Sequence, residues 1–312
     1  MTMLSSVADR LYWMSRYLER AEDTARLVAA YNHLIMDIPR GSEPPWDIMI
    51  RILDAEQAFE ERYRTVSEQN VIKLLIADSH APCSIPFAIK SARENVRTTR
   101  DVLPEDAWEL VNELHLYVAE SAKSSVGRRN RQTFLAEIIA RCQMINGLLL
   151  STLSRDHTYR FIKLGRLLEC ADMGTRVVDV GAGDILDRAG SRAAIDPLLW
   201  GALLQALSAT SAYRREVGPI VEQDDVVNFV FAQANFPRSV KFCIAGIREE
   251  LTPLRNNQNA LRAINRLRRR LGRLGKEALT REELHAFIDD FQLQLNALHQ
   301  SISDTWFRTD GS

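Results

Sequence analysis

The sequence predicts an all-α fold, an internally duplicated bundle of about ten to twelve helices whose halves pack about a pseudo-two-fold axis. Three observations predict it. Glycine (14) and proline (10) are few among 312 residues, too few for a loop-rich or β-rich chain. Apolar residues recur at helical spacing along nearly the whole length. The stretch from Arg10 to Val28 also returns at 160–178 with a constant offset of 150. The identical pairs are Arg10/Arg160, Arg16/Arg166, Leu18/Leu168, Glu19/Glu169, Ala21/Ala171, Arg26/Arg176 and Val28/Val178, and Glu22/Asp172 is a matched acid.

Taken in order, the first helix runs from about Leu4 to Asp37 and stops at Pro39, with a loop over Arg40 to Pro45. Trp46 to Arg64 reads as the next helix. A short apolar one follows from Val71 to Asp78, ended by Pro82, and Ser84 to Val102 is closed by Pro104. Asp106 to Ser121 and Gln132 to Leu150 complete the first half. Ser154-Arg155-Asp156 then supplies a break and a cap before the second signature helix.

The second half repeats this order. Trp46, Leu53 and Phe59 align with Trp200, Leu207 and Tyr213 at offset 154, behind the cap and first-turn pair Asp196-Pro197. Residues 71–78 align with 226–233. At offset 155 the run from Pro82 to Phe87 meets Pro237 to Phe242, with Ile89/Ile244, Arg93/Arg248 and Glu94/Glu249 in the same register. Blocks in one order at nearly one offset predict a duplication, with halves of about 1–150 and 151–312. Each half alone would expose an apolar face that only the other covers, so one domain over 1–312 is expected.

On the signature helix, Met14, Tyr17, Leu18, Ala21, Ala25 and Val28 share an apolar face. Arg16, Glu19, Arg20, Glu22, Asp23 and Arg26 gather beside it, and Arg166, Glu169, Asp172 and Arg176 repeat the pattern. Three readings stand: a solvated face laced by i,i+3 and i,i+4 pairs, a partly buried network that fixes the packing of the halves, or a cleft in which carboxylates beside guanidiniums grip an anionic or peptide ligand. A free surface needs charge, but not the same residue at matched positions. Cys170 stands where the first copy has Arg20, so the two copies are not expected to be equivalent.

The net charge of −1 gives no global attraction to nucleic acid or to an anionic membrane. Cys83, Cys142, Cys170 and Cys243 form no C-x-x-C pair, which suits a reducing cytoplasm. The N-terminal residues show no basic and apolar leader, and no run approaches the ~18 apolar residues of a membrane span. A cytoplasmic protein is expected.

Together, residues 11–22, Ala92 to Arg97, Leu164 to Met173 and Phe236 to Val240 resemble the alpha-E family, bacterial all-helical proteins named for a Glu-Arg motif. The second family-like motif includes Arg93, Glu94 and Arg97, and on the other side Arg238, Ser239, Arg248 and Glu249. The resemblance implies genes that neighbour or fuse with a circularly permuted ATP-grasp ligase-like protein, with transglutaminase-like peptidases and a proteasome-like hydrolase nearby. It therefore implies a place in making or processing a peptide or amide-linked tag. The expected function is that of an accessory protein binding the ligase-like partner or its peptide product. An enzyme of peptide or amide metabolism using Glu19 and Glu169 is the alternative, and a polyanion-binding module a third.

Other signals are weaker. Val177 to Asp184 looks like the strand and glycine loop of a methyltransferase, but Val177 and Val178 align with helical residues and no βαβ pattern follows. The glycines are read as ending or bending the long helix. Glu282-Glu283-Leu284-His285 holds a single E-x-x-H, where a di-iron bundle needs two plus further glutamates. No metal and no cofactor is expected. Arg262, Arg266, Arg269, Arg273 and Lys276 form a basic strip, read as a solvated face, a dock for an acidic protein surface, or a polyanion site without aromatics for base stacking.

Overall fold

The computed structural model describes residues 3–39, 41, 43–187, 196–274 and 280–308, with helical backbone alone for 182–187 and for residue 281. Among these residues the regular secondary structure is helix, with no strand. The first half holds α1 (Ser5–Asp37), α2 (Asp47–Ile52), α3 (Glu56–Glu60), α4 (Glu68–Ala77), α5 (Ile85–Arg97), α6 (Glu105–Ser121) and α7 (Arg128–Thr152). The second holds α8 (His157–Asp187), α9 (Asp196–Ala206), α10 (Thr210–Glu216), α11 (Gln223–Ala232), α12 (Val240–Leu251), α13 (Gln258–Leu271) and α14 (Arg281–Trp306). Two short 3-10 turns flank α6.

Fourteen α-helices exceed the expected ten to twelve because the segment from Trp46 is not continuous. It breaks at Asp54, which takes φ 51°, and the corresponding segment breaks at Ser208, φ 56°. The closing bonds also correspond: Ala55 N–H donates to Ile50 O (3.0 Å) and Ala209 N–H to Leu204 O (2.7 Å). These are helix ends of the left-handed type, built without the usual glycine.

Caps explain other boundaries. Ser84 Oγ accepts from Phe87 N–H at 3.2 Å and Ser239 Oγ from Phe242 N–H at 3.1 Å, each hydroxyl donating in turn to a carbonyl six residues earlier, on Asp78 and Gln233. Asp156 caps α8 by accepting from Thr158 N–H at 2.9 Å. Thr280 and Glu283 close a reciprocal capping box on α14. The helix α8 runs on through Gly181 to Asp187, so the glycines there neither end it nor form a loop. A Cβ at Gly181 would lie 2.5 Å from Leu203, and the residue is small because α9 passes close by.

The centre is the pair α1 and α8. One hydrophobic core joins residues of both halves, from Ala8 to Ile302, and α1 is covered by α5, α7, α8 and α9. Burial reaches the charged side of α1 as well as its apolar stripe. The closest approach is at Gly165, whose added Cβ would stand 2.2 Å from Tyr12 O and 2.3 Å from Ser15 Oγ. Ser15 occupies the matched position on α1, so the helices cross where each carries a small residue. Gly165→Ala is therefore expected to lower stability by about 1–3 kcal/mol through backbone displacement, although a mid-helix glycine-to-alanine change ordinarily stabilises by about 1 kcal/mol. Urea midpoints measure this, and a raised midpoint would refute the close crossing.

The helix α7 is long and apolar enough to cross a membrane by length and composition. Its apolar residues Phe134, Leu135, Ile138, Cys142, Ile145 and Leu149 recur at helical spacing and are buried against the rest of the chain.

Candidate functional site

Helical spacing lays the ladder along α1 and α8, and the crossing at Gly165 turns the two ladders face to face. They pair across the interface. Arg16 Nε donates to Glu169 Oε2 at 2.6 Å, and Arg166 Nε donates to Glu19 Oε2 at 3.0 Å. Residues matched at offset 150 thus bind reciprocally. Glu19 is 1% exposed and Glu169 3%, which excludes a solvated face for these two acids. Pairs along each helix extend the network, Arg26 with Glu22 at 2.7 Å and Arg176 with Asp172 at 3.1 Å.

The symmetry fails at the second oxygen of each glutamate. Glu169 Oε1 accepts from Arg20 Nε at 2.6 Å. The matched position beside Glu19 is Cys170, and the missing cation comes instead from Arg238, in the turn before α12. Arg238 Nη1 lies 2.9 Å from Glu19 Oε1 and 3.7 Å from Glu22, and its Nη2 donates to Asp23. The position matched to Arg238 in the first half is Cys83. Arginine and cysteine have exchanged places: Arg20 goes with Cys83, and Arg238 with Cys170. Cys170 and Cys243 share a hydrogen bond that, with burial, raises the Cys170 thiol well above its usual range.

This exchange sets the electrostatics. Burial pushes the Glu169 carboxyl up, but Arg16 and Arg20 overcome it and hold the group at about 2. Burial raises Asp172 despite Arg176 beside it. Burial also raises Glu22 and, more strongly, Asp23, with Glu19 adding repulsion and Arg238 opposing both. Glu169 is therefore a fixed anion and a poor general acid or base near neutrality.

The exchange also shapes the surface. A cavity of about 570 Å³ opens beside Arg20, Glu169, Asp172 and Arg176, with Cys83 and Met173 in its wall. Residues 52–62, around the break at Asp54, form its other side, together with His80 and Pro82. Arg62 is held there by Asp78 at 2.9 Å. Burial raises the Cys83 thiol to about 11, so it is a small wall residue and no thiolate nucleophile. Sequence reasoning did not find the cavity or the roles of Asp54, Arg62 and Asp78, since none of these has a charged match in the other half that repeats its pairing.

The second motif is not brought together as a site. Arg93 donates to Asn112 Oδ1 at 2.8 Å and lies over Trp108, Glu94 and Arg97 form an exposed pair at 2.8 Å, and Arg248 and Glu249 are exposed on α12. Arg238 belongs to the ladder, and Ser239 is a cap. The buried acid of α12 is Glu250, which binds Arg160 at 2.7 Å and Lys163 at 2.8 Å. The basic strip is exposed at Arg262, Arg266, Arg269 and Arg273, while Lys276 lies outside the described residues. His285 faces Asp179 at 2.8 Å through Nδ1 and Asp289 at 3.4 Å through Nε2. One ligand atom from each of these three side chains lies within 4.8 Å of the others, a grouping that could hold a metal ion, with His285 and Asp289 exposed.

The Alpha-E family model, described as a predicted alpha-helical domain with a conserved ER motif, matches residues 3–307. Comparison with curated proteins and with solved structures finds no match. The Glu19-Arg20 pair is an ER dipeptide at the heart of the ladder, and the match spans nearly all of the chain. The chain belongs to the Alpha-E family.

Proposed function

We propose that this is an accessory, cytoplasmic binding protein of a peptide- or amide-bond-forming system, which holds the peptide product for an ATP-grasp-type ligase-like partner. The cavity beside Arg20 carries this reading. It is in the size range of small-ligand pockets, and it joins guanidiniums, carboxylates and an apolar wall, the mixture a short peptide presents. The reading of the halves as copies of one unit supports it, because the site is open beside Glu169, whereas at the matched place beside Glu19 stands Arg238. The exposed arginines of α13 supply a face for an acidic partner, and four free, buried cysteines suit a reducing compartment.

Binding is favoured over catalysis by Glu19 and Glu169. Both are buried, and both oxygens of Glu169 are taken by guanidiniums. A pool of dipeptides with free termini tests the reading by saturation-transfer NMR. The wild type should give transfer, and Ala58→Trp, which fills the cavity without removing a charge, should weaken it about ten-fold or more. Equal transfer with the folded variant, or none with the wild type, would overturn the proposal.

A further inference from the structure

The two halves of the ladder serve as controls for one another. On the Arg238 side three carboxylates, Glu19, Glu22 and Asp23, meet three guanidiniums, those of Arg166, Arg26 and Arg238. That side is neutral, and Arg238 takes the place beside Glu19; the cavity of about 640 Å³ nearby, beside Arg26, Ser208 and Ser211, is not lined by Glu19, Glu22 or Asp23. On the Arg20 side the residue matched to Asp23 is Met173, which carries no charge. Glu169 there is matched by Arg16 and Arg20, Asp172 by Arg176, and Asp78 by Arg62. Of these, Arg20, Arg62, Arg176, Glu169 and Asp172 line the cavity, so its inner wall sets three guanidiniums against two carboxylates.

The remaining acids of the lining are at the mouth. The side chains of Asp54 and Glu61 are 77% and 58% exposed. They reach Arg176 at 3.5 Å and Arg62 at 3.4 Å, but solvated charges at such distances offset little of the interior excess. The inner arginines are also held in place. The Nε of each is engaged: Arg20 by Glu169, Arg62 by Asp78, and Arg176 by Asp172. A guanidinium fixed through Nε keeps its planar fork rigid, and a preorganised fork suits a carboxylate. Leu53, Ala58, Pro82 and Met173 add apolar wall between the cationic interior and the anionic mouth.

We infer that the cavity receives a short peptide by its C-terminal carboxylate, which lies against Arg20 and Arg176, with the peptide's amino end outward at Asp54 and Glu61. This rests on the peptide-binding reading above and adds the direction of entry and the charged group recognised. It also assigns one site per chain, because Arg238 occupies the counterpart beside Glu19.

Three dipeptide pools of the same composition test the direction: free termini, N-acetylated and C-amidated. Calorimetric titration of the full chain should show that the N-acetylated pool binds within about ten-fold of the free pool, because the mouth acids are solvated. The C-amidated pool should bind at least about ten-fold more weakly, since it leaves the inner cations without an anion. Arg176→Gln should remove most of the preference for the free carboxylate over the amide. Its neighbour Asp172 has its carboxyl raised by burial and can lose charge with the guanidinium, which helps the variant stay folded. Equal affinity for acid and amide pools in the wild type would overturn the inference while leaving a peptide site standing. Binding by neither pool would overturn both readings. A stoichiometry of two would overturn the single site.

Discussion

Glu169→Ala is expected to lower stability by about 3–5 kcal/mol at pH 7, because it strands Arg16 and Arg20 beside α8 without their anion. Arg16 suffers most, being nearly buried and raised further in basicity by Glu169 in spite of the burial that opposes it. Urea midpoints at constant slope measure the loss. The pH dependence supplies a second, signed test. The carboxyl has a folded value of about 2 against 4.5 in the absence of structure, so its contribution is complete above pH 4.5 and fades as pH falls toward 2. By ~1.4 kcal/mol per unit, this group alone contributes roughly 3 kcal/mol at neutrality. The gap between wild type and variant should therefore narrow between pH 4.5 and 2. Glu22, Asp23 and Asp172 have raised values and act with the opposite sign, their ionisation costing stability as pH rises; Glu22 and Asp23 largely cancel in the difference, while Asp172, raised by burial and in part by Glu169, is eased in the variant. A loss below about 1 kcal/mol at pH 7, or a gap that holds constant into acid, would return the ladder to the rank of a surface pair.

How much of this was legible in the sequence follows from what a repeat can reveal. Matched positions with matched partners stand out, and they gave most of the helices and the ladder residues Arg16, Glu19, Arg166 and Glu169, while the run Ser154-Arg155-Asp156 announced the cap of α8. The reciprocal pairing needs only those residues and the small pair Ser15/Gly165 at the crossing. The breaks at Asp54 and Ser208 were hidden because a left-handed residue is ordinarily announced by glycine or asparagine, and neither is present. Glu250 was passed over because its match at offset 155 is Asn95, so its clasp by Arg160 and Lys163 has no echo. The cavity was hidden for a related reason. It exists where the aligned residues differ, and its wall depends on the size of Cys83 at a place whose match at offset 155 is an arginine. A search for likeness finds the frame of such a site and misses its opening.

The exchange of arginine and cysteine can itself be reversed. Arg238→Cys alone should be strongly destabilising, by about 3–5 kcal/mol, since Glu19, Glu22 and Asp23 would be left buried around one missing guanidinium. Part of the loss should be relieved by protonation of Asp23, whose carboxyl burial already raises well above its usual range. Adding Cys170→Arg places an arginine one residue after Glu19's counterpart, as Arg20 follows Glu19 in the first half, and should return half or more of the lost stability through Glu19. Asp23 would still lack its partner. The triple variant with Asp23→Met copies the Arg20 side at all three positions, removes the unpaired acid, and should recover most of the remainder. The cavity beside Arg26 and Ser208 should then extend to Glu19, and the calorimetric stoichiometry should rise from one peptide toward two. The decisive measurement is the order of the urea midpoints: Arg238→Cys lowest, the double variant above it, the triple highest of the three. If Cys170→Arg instead deepens the loss of Arg238→Cys, the two arginines do not serve equivalent acids, and the correspondence between the halves of the ladder is wrong.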